Sequence, residues 1–341
     1  MKYVKLGPTG TKVSQLALGT WHLPGSGEYD QWGIEKVDRE EMSKIVRKAY
    51  DAGINFIDTA NIYHGRMQMS DPLHAGNSER LLGDILKDYD RDSIVLATKV
   101  RGPLAAWPNG EGLSRKQILW QAKESLARLQ TSYIDLYQIH WPDPDTPKLE
   151  TLRALNHLLD EGLVRYIGSS NHPASQVEEF MQLSREYRME AFVTLQELYN
   201  LIERGVEKDR LQLARKYGMG VLAYSPIAQG VLSEKYLGGV EKGTRASYAS
   251  DIGKSYFNPQ TLEAVRGLNG MAKQKGISLP QLALAWLLRK QEDLGITIIP
   301  LLGITRLAYL EEGLGAMDVN LSTAEAKQME DISLKANVLP Y

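Results

Sequence analysis

The chain has 341 residues, 43% of them apolar, enough to bury one large core or two ordinary ones. The 40 basic and 42 acidic residues leave a net charge of −2, which offers nucleic acid no basic face and leaves only local positive charge for small phosphorylated ligands. With no cysteine, a disulfide framework, a Cys-ligated zinc and a cysteine nucleophile are all excluded.

The opening MKYVKLGPTG has no apolar h-region, and no apolar run approaches the ~18 residues of a membrane span. A soluble, cytoplasmic protein that meets neither membrane nor nucleic acid is expected. YVKLGPTGTKVSQL (3–16) reads as a hairpin, two short alternating runs around a Gly-Pro-Thr-Gly turn. Strand-then-helix units follow. LALGT (16–20) precedes a helix over 39–51, and NFID (55–58) one over 78–88. IVLATK (94–99) precedes 115–129, and IDLYQIH (134–140) precedes 148–160. RYIGSS (165–170) precedes 174–187, and FVTLQ (192–196) precedes 207–217. GVLAYS (220–225) is followed by helices over 261–275 and 279–290, and TIIP (297–300) by 306–315. A last helix covers 323–334.

Eight such units predict a parallel sheet, and strands that are almost continuously apolar fit a sheet covered on both faces. No linker or composition shift divides the chain. The expected fold is α/β, a single (β/α)8 TIM barrel domain over 1–341 with an N-terminal β-hairpin and an extra C-terminal helix. The hairpin is expected to plug the bottom of the barrel. Three long segments, 61–77, 101–114 and 226–260, follow strand C-termini, the face that carries sites in this fold. GSGEYD (25–30) and GGVEKG (238–243) resemble pieces of phosphate-binding fingerprints, but their glycine spacing is wrong and both read as turns.

Polar residues gather at the strand ends: Asp58 with Tyr63 in its loop, Lys99, His140, Ser169, Ser170, Asn171, Gln196, Tyr224 and Ser225. Taken singly, each reads more readily as a solvated or hydrogen-bonded boundary residue. Together they form a ring at one mouth, with a chemical logic. A tyrosine is a weak acid, and a cation such as Lys99 beside it is expected to lower its pKa toward working pH. Asp58 can hold that lysine, and His140 can donate to a carbonyl oxygen. Such a set protonates an oxygen while hydride, which needs a cofactor, reaches the adjacent carbon. A metal-dependent hydrolase is the rival on this fold. However, His22, His64, His74, His140, His157 and His172 form no His-x-His or His-x-x-x-His pair, and no metal is expected. His64 is read as a loop residue beside the site.

FIDTANIY (56–63), VLATKV (95–100), DLYQIHWPDP (135–144), IGSSN (167–171), LQELYN (195–200) and AYSPIAQGVL (223–232) resemble, in order, the segments of the aldo-keto reductase family. The resemblance implies catalytic Asp58, Tyr63, Lys99 and His140, with Tyr63 the proton donor. It implies that Ser170, Asn171 and Gln196 hold a nicotinamide amide and that Tyr224 stacks on its ring. Thr20, Trp21 and Asp58 would lie near the cofactor, as would Ser225, Pro226, Ile227, Gln229 and Gly230. GLSRKQI, SPIAQGVLSEKY and TRAS resemble the branch that holds potassium-channel β-subunits and bacterial glyoxal reductases. There Lys235 and Arg245 would meet the cofactor phosphates. LLGITRLAYLEEG (301–313) resembles the adenosine segment through Gly303, Thr305 and Glu312. It departs from the pattern at Tyr309 and Gly313, and Arg306 would compensate at a 2′-phosphate. NADP(H) is therefore the implied cofactor, with NAD(H) the weaker alternative. Trp21, Tyr63, His140 and Trp141, with Trp107 as a further candidate, would line the substrate pocket. The implied substrates are small or aromatic aldehydes and dicarbonyls such as methylglyoxal. The insertion over 65–76, with Met67, Met69, Pro72 and Leu73, is read as a lid or a contact in a homo-oligomer. A regulatory subunit without turnover is the second reading. The channel β-subunits carry asparagine where His140 stands, which favours an enzyme here.

Overall fold

The computed structural model describes residues 1–31, 35–64, 75–239 and 255–338. The chain opens on an antiparallel hairpin of β1 (Tyr3–Lys5) and β2 (Lys12–Ser14). Its turn passes so close to the ends of later strands that a Cβ on Gly7 (φ 57°) would fall 2.1 Å from the Val193 carbonyl oxygen. Leu6 and Val13 pack with Phe56, Val95, Leu136, Leu222 and Ile299, so the hairpin does close the N-terminal end of the barrel. β3 (Ala17–Gly19) then enters the barrel.

The next stretch departs from the sequence reading. GSGEYD is not a turn: β4 (Gly25–Tyr29) pairs antiparallel with β5 (Glu35–Val37) in a small separate sheet. All five residues of β4 are exposed, so no buried face imposed the alternation by which strands are recognised. Of GGVEKG, only Gly238 and Gly239 lie within the described residues.

The remaining barrel strands are β6 (Phe56–Asp58), β7 (Val95–Val100), β8 (Ile134–Ile139), β9 (Val164–Ser170), β10 (Thr194–Leu198), β11 (Gly220–Tyr224) and β12 (Ile298–Gly303). With β3 they close into a barrel whose neighbouring strands all run parallel. Parallel neighbours need a crossover, and helices provide each one. They are α1 (Arg39–Asp51), α2 (Asn77–Leu86), α3 (Arg115–Leu129), α4 (Lys148–Asp160), α5 (Ala174–Tyr187), α6 (Arg210–Tyr217), α7 (Pro259–Lys275) and α8 (Leu279–Leu294), while α9 (Leu307–Leu314) follows the last strand. The expected C-terminal helix is α10 (Thr323–Ser333). Local chemistry sets many ends. Asp38, Ser114 and Asn258 accept backbone N–H groups at the starts of α1, α3 and α7, and Ser278–Gln281 and Ser322–Glu325 form capping boxes. Gly218, Gly276 and Gly295 end α6, α7 and α8 in the left-handed conformation. The helix expected over 207–217 is broken: a 3₁₀ turn, Gly205–Lys208, precedes α6, with Asp209 non-helical between them. Among the described residues, no helix is long and apolar enough to cross a membrane.

Candidate active site

The site forms where the strands end. β6 delivers Asp58 and its neighbour β7 delivers Lys99, whose side chain is fully buried. Lys99 Nζ donates to Asp58 Oδ1 at 2.5 Å, to the Thr59 carbonyl at 2.8 Å and to the Tyr63 phenolic oxygen at 2.9 Å. All three of its hydrogens meet oxygen, the arrangement of an ammonium ion. Burial pushes the Lys99 pKa down, and the Asp58 charge pushes back. Removing either partner would strand the other in the core.

Tyr63 is fixed from both sides. Its N–H reaches the Ala60 carbonyl at 3.1 Å, and its own carbonyl accepts Ser78 N–H from the start of α2 at 3.2 Å. Its ring meets Trp21 edge-on at 4.8 Å and His140 at 5.8 Å. The expectation of a lowered phenol pKa is not met. Burial, followed by the charge of Asp58, pushes Tyr63 well above 10.0. Asp58 faces the same lysine and offsets its charge. The phenol therefore carries its proton at neutral pH. Because its oxygen already accepts from Lys99, its O–H is left to donate elsewhere.

His140 directly follows β8, its N–H bonded to the Val100 carbonyl at 3.0 Å, and its ring stacks on Trp141 at 3.8 Å. Burial first, then the charges of Lys99 and Arg101, push its pKa well below 6.5. The ring is therefore neutral and carries one N–H donor. We expect its NMR resonance to show no titration step near pH 6.5, and a step there would contradict this environment. The sign also bears on stability. A folded pKa below the unfolded one gives stability that is full above pH 6.5 and declines as pH falls toward the lower value.

Around these four, β9 ends on Ser170 and Asn171 directly follows it. Ser170 Oγ donates to the Gln196 carbonyl at 2.9 Å, and Asn171 Nδ2 to the His140 carbonyl at 3.1 Å. The Tyr224 hydroxyl donates to Asn171 Oδ1 at 2.8 Å. Thr20 Oγ1 donates to the Asp58 carbonyl at 3.1 Å, whereas Trp21 stands out of the mouth, 42% exposed. After β11, Ser225, Ala228 and Gln229 all adopt left-handed φ angles of 51°, 47° and 56°. Residues other than glycine rarely do so, and such strain clusters at ligand sites. Pro226 is buried, Ile227 packs on the core and Gly230 completes the turn at φ 95°. Lys235 is exposed in the short turn Glu234–Tyr236. At the end of β12, Gly303, Arg306 and Tyr309 are exposed, and Thr305 and Glu312 are half-buried. Gly303 is in register with Gly19, which places this group on the same end of the barrel. Trp141 is half-buried against His140, and Trp107 is exposed with its ring 5.9 Å from Trp120. Arg245, His74 and most of the 65–76 insertion, including Met67, Met69, Pro72 and Leu73, lie outside the described residues. His64 is half-buried at φ 52°, beside Tyr63 as expected.

The sequence reading passed over Gln138, which donates to Asp58 Oδ2 at 3.1 Å. A glutamine at an inward position of the apolar run IDLYQI was the available signal. Ser78, whose Oγ lies 2.8 Å from Thr20 Oγ1, was also missed.

This tetrad, closed by neighbouring strands at one barrel mouth, accompanies a sequence match over residues 15–334 to the Aldo/keto reductase family. The chain belongs to that family. Two relatives resemble this aldo/keto reductase along almost their full lengths. One is a probable voltage-gated potassium channel subunit beta from Oryza sativa subsp. japonica, 32% identical over 330 residues, covering 94% of this chain and 92% of the relative. The other is an L-glyceraldehyde 3-phosphate reductase from Escherichia coli (strain K12), 32% identical over 336 residues, covering 97% and 92%. Family membership and the reductase relative support carbonyl reduction as the chemistry of this aldo/keto reductase.

Proposed function

We propose that the protein is an NADPH-dependent reductase that converts aldehydes or ketones to alcohols, acting as one domain over 1–341. The observation that carries this is the buried Lys99 ammonium joining Asp58 to the Tyr63 phenol. A nicotinamide held beside this tetrad would supply the hydride. The Tyr63 hydroxyl gives its proton to the carbonyl oxygen, and Lys99 steadies the charge left on the phenolic oxygen. Neutral His140 donates its ring N–H to that carbonyl and orients it. Trp21 and Trp141 would line the substrate pocket, and the branch that the chain resembles implies small or aromatic aldehydes and dicarbonyls such as methylglyoxal as substrates. The relative's name adds phosphorylated aldehydes to those worth assaying.

The surrounding residues suit a dinucleotide. With Gln196 Nε2 bonded to Asp58 Oδ2 at 2.8 Å, its Oε1 is left to accept from a carboxamide. Lys235 and Arg245 would meet the phosphates, two cations that suit a dinucleotide carrying an extra 2′-phosphate, and Arg306 would add to the hold on that phosphate. Glu41 Oε1 accepts the Leu307 N–H at 2.8 Å, which brings a carboxylate to the start of α9 and works against a 2′-phosphate there. NAD(H) therefore stays an alternative, the weaker one because Lys235, Arg245 and Arg306 would all favour the extra phosphate. Arg245→Ala is expected to weaken NADPH about tenfold and NADH far less, and equal losses in a binding titration would count against the 2′-phosphate role.

The deciding experiment is an NADPH-oxidation screen over aldehydes, ketones and dicarbonyls. The relative named as a channel subunit keeps a second reading open, a cofactor-binding regulatory subunit. NADPH binding with no oxidation by any carbonyl would favour that reading.

A further inference from the structure

Asp58 does more than pair with Lys99. Its Oδ2 accepts from Gln196 Nε2 at 2.8 Å and from Gln138 Nε2 at 3.1 Å. An ionised carboxylate only accepts, so it decides which end of each amide turns toward it. Gln196 Nε2 also reaches Gln138 Oε1 at 3.4 Å, so the two amides touch each other as well as the carboxylate. Asp58, Gln138 and Gln196 are 2%, 0% and 2% exposed, and bulk water does not compete for these bonds.

The two glutamines stand on β8 and β10, which are not neighbours, because β9 runs between them. Gln138 lies in register with Gly168 of β9, and Gly168 in register with Thr194, two residues before Gln196. A Cβ on Gly168 would fall 2.3 Å from Thr194 Oγ1 and 3.1 Å from Gln138 Cγ. The missing side chain is the gap through which Gln138 crosses β9.

We propose that Gln138 is a positioning residue that braces Asp58 and Gln196 together. One carboxylate then sets both the Lys99–Tyr63 acid and the amide that faces the cofactor. This rests on the reductase reading for its chemistry, but its binding readout does not need turnover. With Gln138 gone, Gln196 keeps its bond to Asp58 but loses the neighbouring amide that steadies it, and Asp58 loses a donor it cannot recover from water.

The test compares the wild type with Gln138→Leu, Gln196→Leu, the double variant and Gln138→Glu. NADPH binding is followed by quenching of tryptophan fluorescence, turnover by NADPH oxidation, and folding by thermal melts. Gln138→Leu is expected to lose about tenfold in kcat and several-fold in NADPH affinity, and the double variant to lose less than the product of the single losses. Gln138→Glu sets a second carboxyl against Asp58, where only its protonated form can donate, so its activity relative to wild type should climb as pH falls. A folded Gln138→Leu within twofold of wild type in both kcat and NADPH affinity would overturn the proposal, as would fully multiplicative losses. If Gln138→Leu does not fold, the pH profile of Gln138→Glu decides: a rise on the acid side supports the brace and a flat profile overturns it. A wild type that binds NADPH but reduces no carbonyl speaks against the reductase reading alone, and the affinities then judge Gln138.

Discussion

Tyr63→Phe is expected to remove carbonyl reduction almost entirely while NADPH binds as in the wild type. The change takes away one oxygen from a ring that keeps its contacts with Trp21 and His140. That oxygen is the partner of Lys99 Nζ and bears the O–H left free to donate. Positioned general acids contribute about 10²–10⁴-fold, so kcat should fall within that range. Fluorescence titration should give an NADPH affinity within about twofold of wild type, since the ring remains to pack. A variant that keeps most of its turnover would remove Tyr63 from the mechanism.

Lys99→Met has a second large expected effect, on stability as well as rate. The ammonium and Asp58 are 0% and 2% exposed, and their mutual bond is 2.5 Å. Removing one partner leaves an uncompensated buried charge, which costs about 3–5 kcal/mol. Gln138 and Gln196 still donate to Asp58, but neither carries charge. The melting temperature should therefore drop, in contrast to Tyr63→Phe. Turnover should fall at least as far as for Tyr63→Phe, because no cation then faces the phenolic oxygen. A folded Lys99→Met with near-normal melting and turnover would contradict both roles. The contrast between the two variants separates charge compensation in the core from the proton donor itself.

Much of the architecture was legible because local rules governed it. The strand at 95–100 is buried at every position, and such runs declare themselves by hydrophobicity alone. Helices over 39–51, 115–129, 148–160 and 174–187 fall where their periodicity and flanking residues put them. β4 was illegible for the opposite reason. Its residues Gly25–Tyr29 bury nothing, so pairing with β5 left no hydrophobic trace. The break at Asp209 is likewise a backbone event inside a helical pattern.

The sequence by itself determined which residues stand at the strand ends, and through their order it pointed to Asp58, Tyr63, Lys99 and His140. Side-chain period and strand length settle that much, because a residue ending a parallel barrel strand has one mouth to face. Tertiary structure alone decided the electrostatics. Sequence logic placed a cation beside Tyr63 and expected a lowered pKa, but burial and the Asp58 charge raise it instead. It was also the tertiary structure that joined Gln138 to Gln196 across Gly168, between strands that are not neighbours. Desolvation and cross-strand contact depend on what surrounds a group in space, and composition and spacing along the chain carry neither quantity.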